Sequence, residues 1–218
     1  MNVIDRLESQ LAPVSSIPAS GVSGIEGRIG AELDSWDGIQ ETHPRGVDRL
    51  TEYWSTIDYP GWHPVDTPWS AAFVSYALRG AGFPQRSAHY QYVEDIAGGT
   101  VPGWTAYSIP KAGKNLELSP GDVLIRARGS ASSPDEASYY WTHGDVVWKV
   151  ENGLAYLVGG NLSDSAMVTE RIPVSSSGQP TGTIKRYKVI LKKKAGSPLV
   201  WLAGAGLLGA GIWFWKGR

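Results

Sequence analysis

The sequence predicts an α+β domain in which an antiparallel sheet packs against a layer of helices. In the first half of the chain apolar residues recur at spacings of three and four, and from Gly121 onwards the period changes to two. The 218 residues, 42% of them hydrophobic and 19% charged, suffice to bury one core. We therefore expect an N-terminal helix and linker over residues 1–24, one domain over residues 25–192 and a C-terminal hydrophobic helix over residues 193–218.

Two helices are predicted over residues 25–39 and 47–57, where apolar side chains follow mixed spacings of three and four. A third helix is the clearest, because Thr67 can cap it, Pro68 suits its first position and a later glycine ends it. It is apolar on nearly every side, so it should be buried on most faces. Its first turn contains Ser70.

Strands are predicted in the second half of the chain, separated by turn residues. They cover residues 122–128, 145–150, 154–158, 167–174 and 183–192. Residues 129–137 are small and polar, which predicts a mobile flap, and residues 178–182 predict a turn. Both faces of the sheet carry apolar side chains, so both faces must be covered.

The hairpin at Asn152-Gly153 decides which side chains share a face of the sheet. A three-residue loop pairs Val150 with Leu154 and places His143 opposite Asn161 on one face. A two-residue Asn-Gly turn would shift the register by one residue and put these side chains on opposite faces. The catalytic hypothesis below depends on the longer loop, with its glycine in the left-handed conformation.

Composition excludes several functional classes. A formal net charge of −1 and an isoelectric point near 6.4 give no general attraction to nucleic acid, and no basic and aromatic cluster supplies one locally. The absence of cysteine excludes disulfides, thiolate metal sites and a cysteine nucleophile. His89, His143 and Asp145 do not form a metal-binding motif such as His-Glu-x-x-His, so neither a metal nor another cofactor is expected.

The two ends of the chain differ in character. Residues 1–10 have no basic start and no apolar stretch, so no signal peptide is expected. Residues 199–215 are an uncharged apolar run, about 25 Å long as a helix, at the lower limit for spanning a bilayer. Basic residues on both sides of this run give no preferred orientation. A membrane-associated helix is the first interpretation, and a glycine-rich helix docked in a protein assembly is the alternative.

Ser70, His143 and Asn161 are the candidate catalytic residues. A hydroxyl at a helix start can act as nucleophile, a histidine that opens a strand can take its proton, and an asparagine that ends the next strand can orient that histidine. A serine hydroxyl does not ionise as a thiol does, so it also needs an aligned base and an oxyanion hole. The structural alternatives are that Ser70 satisfies a first-turn backbone donor and that Asn161 is a left-handed turn residue.

Four further residues are candidates for orienting or substrate-binding roles. His89 belongs to a neighbouring segment, and Asp145 shares a sheet face with the candidate histidine base, so either could be the orienting group. Trp69 and Trp141 flank the candidate site and could stack on a sugar or peptide substrate. Ordinary packing in the core is the alternative for both tryptophans.

The chain carries a set of short motifs in a characteristic order. They are PWSAAFVSYALRGAGFP at residues 68–84, Ser87-Ala-His89, Tyr92, Pro120-Gly-Asp122, His143-Gly-Asp145 and Gly159-Gly-Asn161. Together they resemble an uncharacterised bacterial and phage family that is distantly similar to the CHAP and NlpC-type cell-wall peptidases. The resemblance covers approximately residues 25–191.

The resemblance implies a papain-like fold and the cleavage of amide bonds in peptidoglycan. Such relatives place a cysteine at a helix N-terminus, a histidine on a neighbouring strand and a third polar residue that orients the histidine. Ser70 stands at the position of the cysteine, His143 at that of the base and Asn161 at that of the orienting residue. Serine is the usual residue at this position in the resembled family, which favours a natural serine over an engineered replacement.

Three functional hypotheses follow. The first is a peptidoglycan amidohydrolase or endopeptidase in which His143 deprotonates Ser70, tethered to a membrane or a virion through residues 199–215. The second is a catalytically inactive wall-binding or structural protein of a phage particle. The third is a membrane pore or genome-entry component formed by the glycine-rich tail. The expected partners are peptidoglycan, a membrane and virion or identical subunits, and the expected location is the cell envelope or a phage virion.

Overall fold

The computed structural model describes residues 24–57, 59, 61, 67–127, 142–182 and 184–194. Its helices are α1 (Gly24–Ser35), α2 (Pro44–Ile57), α3 (Ser70–Ala77), α4 (His89–Ala97) and α5 (Ile109–Ala112), the last continued by a 3₁₀ helix over Gly113–Leu116. Its strands are β1 (Trp104–Ser108), β2 (Val123–Ala127), β3 (Thr142–Glu151), β4 (Leu154–Leu162), β5 (Ser165–Pro173) and β6 (Tyr187–Lys193). The predicted α+β class is confirmed.

The six strands form one antiparallel sheet in the order β1-β6-β2-β3-β4-β5. The last strand of the sequence lies between the first two, whereas β2 to β5 follow one another as a meander. β3 therefore has a neighbour on each side, and it carries both His143 and Asp145. Because β3 is an inner strand, its side chains are buried wherever other elements pack on the two faces of the sheet.

Both faces of the sheet are covered, as the apolar alternation requires. On one face, here called the helix face, Val146 and Val158 share a core with Phe73 of α3 and with other residues of α1 to α4. The opposite face, here called the loop face, has its own core. That core contains Leu124, Val147, Leu157 and Ile190 together with Ala112, Leu118 and Ile184 from α5 and the connecting segments.

Helix α3 starts at Ser70, two residues after its predicted first position, Pro68. The prediction of Thr67 as the cap was wrong, because Trp69 is the N-cap residue and makes no side-chain cap bond. All eight residues of α3 are buried, as its apolar composition predicts. The helix ends at Ala77, and the glycines predicted to end it follow in a left-handed turn.

The hairpin between β3 and β4 corrects the predicted loop. Glu151 pairs with Leu154, so Asn152-Gly153 is a two-residue turn with positive φ at both positions, 51° and 74°. A β-bulge between Val147 and Lys149 then shifts the register by one residue. Beyond the bulge, the pairing is the one that the three-residue loop would have produced. The loop was wrong, and the bulge compensates for the error in register.

Other elements differ from the predictions mainly at their ends. Periodicity does not predict α4 or β1, because α4 is short and β1 is an edge strand with a single buried residue. The predicted flap at residues 129–137 and the apolar run at residues 199–215 lie outside the described residues. Within the described ranges, no helix combines the length and the apolar character needed to cross a membrane.

Candidate functional site

The Ser70 hydroxyl contacts a histidine other than the predicted base. Its Oγ lies 2.8 Å from Nε2 of His89, within hydrogen-bond distance. Ser70 is the first residue of α3 and His89 is the first residue of α4, so two helix starts bring these groups together. Ser70 is 8% exposed and His89 is 4% exposed, so the pair lies in a site from which most water is excluded.

The connection between α3 and α4 is held by hydrogen bonds to Ser75. Its hydroxyl accepts the N–H of Arg86 at 3.1 Å and donates to the Arg86 carbonyl at 3.0 Å. The Gln85 side chain donates to the Ser75 carbonyl at 2.9 Å. Gly80 and Gly82 have positive φ, 78° and 74°, which lets the chain reverse directly after α3. These contacts hold the start of α4 against the helix that carries the serine.

The hydrogen bonds around His89 define which ring nitrogen can accept a proton. The N–H of Gly144 donates to Nε2 at 3.3 Å, so this nitrogen is unprotonated in the neutral ring. The Tyr92 hydroxyl lies within hydrogen-bond distance of Nδ1. Burial, and after it the charge of Asp145, raises the pKa of Tyr92 well above its ordinary value, so the phenol stays neutral. Nε2 can therefore take a proton from Ser70 while Tyr92 orients the ring.

Gly144 allows α4 to approach the sheet closely. A Cβ built at this position would lie 2.7 Å from Nδ1 of His89 and 2.7 Å from the hydroxyl of Tyr92. Real Cβ atoms do not approach other atoms to that distance, so a larger residue would displace His89 or Tyr92. The central glycine of the His143-Gly-Asp145 motif therefore has a structural reason, because the strand backbone itself contacts His89.

His143 and Asp145 form a second buried polar group on the loop face. Asp145 pairs across the strands with Leu124, which belongs to the loop-face core. The Tyr187 hydroxyl donates to Oδ2 of Asp145 at 2.9 Å, and Nε of Arg126 lies 3.6 Å from the same oxygen. Nε2 of His143 lies 3.3 Å from Oδ1 of Asp145, but without the alignment of a hydrogen bond. The group thus combines an ion pair between Arg126 and Asp145 with a contact between His143 and Asp145 that is not aligned as a hydrogen bond.

Asp145 keeps its charge although it is fully buried. Burial alone would raise the pKa of its carboxyl, but the contacts with His143, Arg126 and Tyr187 outweigh burial and lower that pKa below its ordinary value. Among the described residues, neither ring nitrogen of His143 nor Oδ1 of Asp145 has a hydrogen-bond partner, and both side chains are 0% exposed. Buried polar atoms without partners are unusual and call for an explanation.

The structure separates Ser70 from the histidine predicted as its base. Because side chains alternate along β3, Gly144 faces the helices, whereas His143 shares the loop face with Asp145. The His143 ring centroid lies 5.7 Å from that of His89, and it is His89 that contacts Ser70. A direct contact between Ser70 and His143 is not found among the described residues.

Asn161 lies at the end of β4 with a left-handed backbone, φ 56°, as its alternative interpretation as a turn residue expects. The two glycines before it serve close packing. A Cβ on Gly159 would lie 2.5 Å from Oδ1 of Asp145. A Cβ on Gly160 would lie 2.6 Å from side-chain carbons of Trp69 and Phe73. In the Gly159-Gly-Asn161 motif, the first glycine therefore lets Asp145 pack closely on one face of the sheet, and the second lets the start of α3 pack closely on the other.

Trp69 is fully buried beside the start of α3. Its ring stacks on Trp36 with centroids 4.5 Å apart, and its Nε1 donates to Oε2 of Glu41 at 2.7 Å. A ring with 0% exposure does not present a surface to a substrate, so in this structure Trp69 anchors the helix that carries Ser70. Trp141, the other tryptophan with a predicted binding role, lies outside the described residues.

Tyr92 is the site residue to which sequence reasoning assigned no role. It follows His89 by three positions on α4, so the two side chains lie on one face of that helix. The buried positions 89, 92, 93 and 96 have helical spacing, which is the signal that could have paired them. Among the described residues, no group of three or more His, Asp or Glu side chains could hold a metal ion.

Comparison with known proteins identifies a family model that matches more than half of the chain. Residues 34–189 match the model of a family described as an uncharacterized protein conserved in bacteria, DUF2272. The matched range includes α3, α4 and the strands that carry His143 and Asp145. No curated protein and no solved structure matches the chain.

Proposed function

The chain belongs to the DUF2272 family, whose model covers residues 34–189, and we propose that it is a serine hydrolase that cleaves amide bonds in peptidoglycan. The observation that carries the proposal is the 2.8 Å contact between Oγ of Ser70 and Nε2 of His89. A hydroxyl at the start of a buried helix, beside an imidazole oriented by a third group, is the arrangement that an activated serine nucleophile needs.

In the proposed reaction, Oγ of Ser70 attacks the carbonyl carbon of the amide while its proton passes to Nε2 of His89. The tetrahedral intermediate collapses when the C–N bond breaks and the imidazolium returns the proton to the leaving amine. A water molecule then attacks the acyl-serine ester with His89 as base, which releases the carboxylic acid and regenerates Ser70. The contact of Tyr92 with Nδ1 keeps Nε2 directed at Ser70 in both steps.

The first turn of α3 is suited to stabilise the negative oxygen of the intermediate. The first N–H groups of a helix have no partner within the helix, and the N-cap residue Trp69 makes no side-chain cap bond. These N–H groups adjoin the Ser70 hydroxyl, and the helix dipole favours negative charge at this end. The proposal assigns the oxyanion to the N–H groups of Ser70 and Ala71.

The papain-like fold and the peptidoglycan substrate belong to the same proposal. They rest on the resemblance of residues 68–84 and 143–161 to the CHAP and NlpC-type peptidases, and on the packing of α3 against β3 and β4. Within that scheme Ser70 replaces the usual cysteine, and His89 takes the role that the resemblance assigns to His143. Residues 199–215 would hold the enzyme at a membrane or in a virion, close to its polymeric substrate.

The test is digestion of purified peptidoglycan by the full chain, with released fragments identified by mass spectrometry. We expect the parent protein to release fragments, and Ser70→Ala and His89→Ala each to lower the rate at least about 100-fold. Ser70→Cys should retain cleavage, because a thiol at a helix start is the stronger nucleophile. Ser55→Ala is the control, since this α2 hydroxyl donates only to the Glu52 carbonyl among the described residues.

The outcomes separate the alternatives. Cleavage lost in Ser70→Ala but kept in His89→Ala would contradict the assignment of the base. Peptidoglycan binding without cleavage by the parent and by every variant would contradict the hydrolase and favour the wall-binding or structural role. The mass of the released fragments identifies the bond that is cleaved.

A further inference from the structure

A buried negative charge lies behind the Ser70–His89 pair. Asp145 is fully buried, and it adjoins Gly144, whose N–H bonds the His89 ring. His143 is near both groups, with its Nε2 3.3 Å from Asp145 and its ring centroid 5.7 Å from that of His89. The Asp145 carboxylate and the His89 base are thus linked through the backbone of β3, because Gly144 follows His143 and precedes Asp145 on that strand.

We propose that Asp145 is the positioning residue of the Ser70–His89 pair, and that its buried carboxylate stabilises the imidazolium that His89 becomes during attack. This inference rests on the proposed hydrolase function. Neither Asp145 nor His143 touches the substrate in this scheme. Their contribution is an electrostatic field and a fixed distance, which the strand β3 provides.

The physical reason is the low water content of the site. When His89 takes the proton of Ser70, a positive charge appears on a side chain that is 4% exposed, and such a charge is unfavourable without a negative partner. Asp145 supplies that partner before the reaction begins, so no group needs to reorient. The charge of Asp145 reaches the helix face, since it is the second cause, after burial, of the raised pKa of Tyr92.

The unpartnered atoms of His143 fit this role. Within the described ranges both nitrogens of this buried imidazole lack hydrogen bonds, which is destabilising, and an apolar side chain would pack there at lower free energy. The position of His143, with Nε2 3.3 Å from Oδ1 of Asp145, therefore indicates a role at the site rather than in packing. Gly159 supports the arrangement, since a Cβ there would lie 2.5 Å from Asp145 and 2.9 Å from Nε2 of His143.

Charged and titratable groups from several elements surround this region in the part of the chain that the structure describes. They are Tyr92 of α4, His143 and Asp145 of β3, Arg126 of β2 and Tyr187 of β6. Arg126 opposes the carboxylate from 3.6 Å, and its side chain is 25% exposed, whereas Asp145 is 0% exposed. Asp145 is the one carboxylate among these groups.

The test uses the full chain with Asp145→Asn, which removes the charge and keeps the size of the side chain. NMR of the ring carbons follows the titration of His89, and hydrolysis is measured against pH. We expect His89 to titrate at lower pH in this variant, and kcat to fall about tenfold with KM unchanged. Asp122→Asn is the matched control, because Asp122 is also a buried carboxylate but pairs with Lys192. Its effect on His89 should be much smaller.

Arg126→Met provides a second variant, for which the titration of His89 is expected to shift in the opposite direction. It removes the opposing cation at a partly exposed position, so His89 should titrate at higher pH, and this result holds even where Asp145→Asn does not fold. Unchanged titration of His89 in a folded Asp145→Asn or Arg126→Met protein would overturn the inference. The two proposals can fail separately, because the titration is measured without catalysis. If the titration of His89 shifts as expected but Ser70→Ala hydrolyses like the parent, only the proposed function is contradicted.

Discussion

Three glycines of the sheet bring side chains close to the backbone at the candidate site. Gly144 adjoins His89 and Tyr92, Gly159 adjoins Asp145, and Gly160 adjoins the start of α3. None of the three has a positive φ, so the requirement is for space rather than for a left-handed backbone. Each glycine therefore acts on the site through the distance at which a neighbouring side chain can lie.

We predict that Gly144→Ala displaces His89 from Ser70. The added Cβ would lie 2.7 Å from two polar atoms, so the α4 side chains or the strand must move. Overpacking of this kind destabilises a protein by about 1–3 kcal/mol, and the loss of alignment should lower hydrolysis at least about tenfold. Urea denaturation and the peptidoglycan assay measure the two effects.

Gly182→Ala is the control for that substitution. No atom of the described residues lies within 4 Å of a Cβ built at Gly182, and its φ is not in the left-handed range. The control should unfold and hydrolyse like the parent. An active Gly144→Ala protein of parental stability would contradict the close approach of α4 to β3.

At the scale of secondary-structure elements, a buried ion pair joins β6 to the segment before β2. Nζ of Lys192 lies 2.6 Å from Oδ2 of Asp122 and also donates to the Glu117 carbonyl. The N–H of Ser119 donates to the same Asp122 oxygen at 2.9 Å. Burial raises the pKa of Asp122 to about 6 and outweighs Lys192 and Ser119, which lower it.

This raised pKa predicts a pH dependence of stability. The ordinary pKa is 3.8, so between about pH 4 and pH 6 the folded chain holds the proton more tightly than the unfolded chain does. The stabilising contribution of protonated Asp122 is complete below pH 4 and is lost as the pH rises through 6. The asparagine in Asp122→Asn does not titrate. From pH 4 to pH 7 the free energy of unfolding of this variant should therefore rise relative to that of the parent by up to about 3 kcal/mol.

Urea denaturation of both proteins at several pH values measures that difference. The comparison cancels other titrating groups, including Asp145, whose lowered pKa acts in the opposite direction. A difference that stays constant from pH 4 to pH 7 would contradict the raised pKa of Asp122. If the free energy of unfolding of the variant instead fell relative to that of the parent over this range, folding would lower the pKa of Asp122 rather than raise it.

At the scale of the whole molecule, the domain and the apolar run at residues 199–215 have separate roles in the proposal. The domain buries both faces of its sheet, one under helices and one under α5 and connecting segments. The apolar run carries no charge and is flanked by basic residues. Such a run favours lipid or a protein assembly over water, whichever the full chain encounters.

We predict that the full chain floats with lipid vesicles and that Leu207→Glu combined with Leu208→Glu abolishes this. A charged side chain at the centre of a membrane helix costs about 2.5–3.5 kcal/mol, so two of them should prevent insertion. Ser176→Glu combined with Ser177→Glu adds the same charge at exposed positions of the domain and should float like the parent. Flotation that survives the leucine changes, or is absent from the parent, would favour a helix docked in an assembly.

Periodicity was most informative where an element buries a continuous apolar surface. The α3 helix and strands β2 to β6 follow from such patterns, whereas the half-exposed α4 and the edge strand β1 do not. In the hairpin a three-residue loop was predicted where a two-residue Asn-Gly turn forms, and the bulge after Val147 was not visible in the sequence. A bulge arises from packing on both faces, which local pattern does not contain.

The candidate site shows the same division. The residue types, the order of the motifs and the position of Ser70 at a helix start are properties of the sequence and could be derived from it. The partner of that serine could not, because it depends on which face of β3 turns towards the helices and on how tightly the α3–α4 connection is folded. His143 and His89 are equivalent as imidazoles, and only long-range packing determines that His89 contacts Ser70 while His143 pairs with a buried carboxylate.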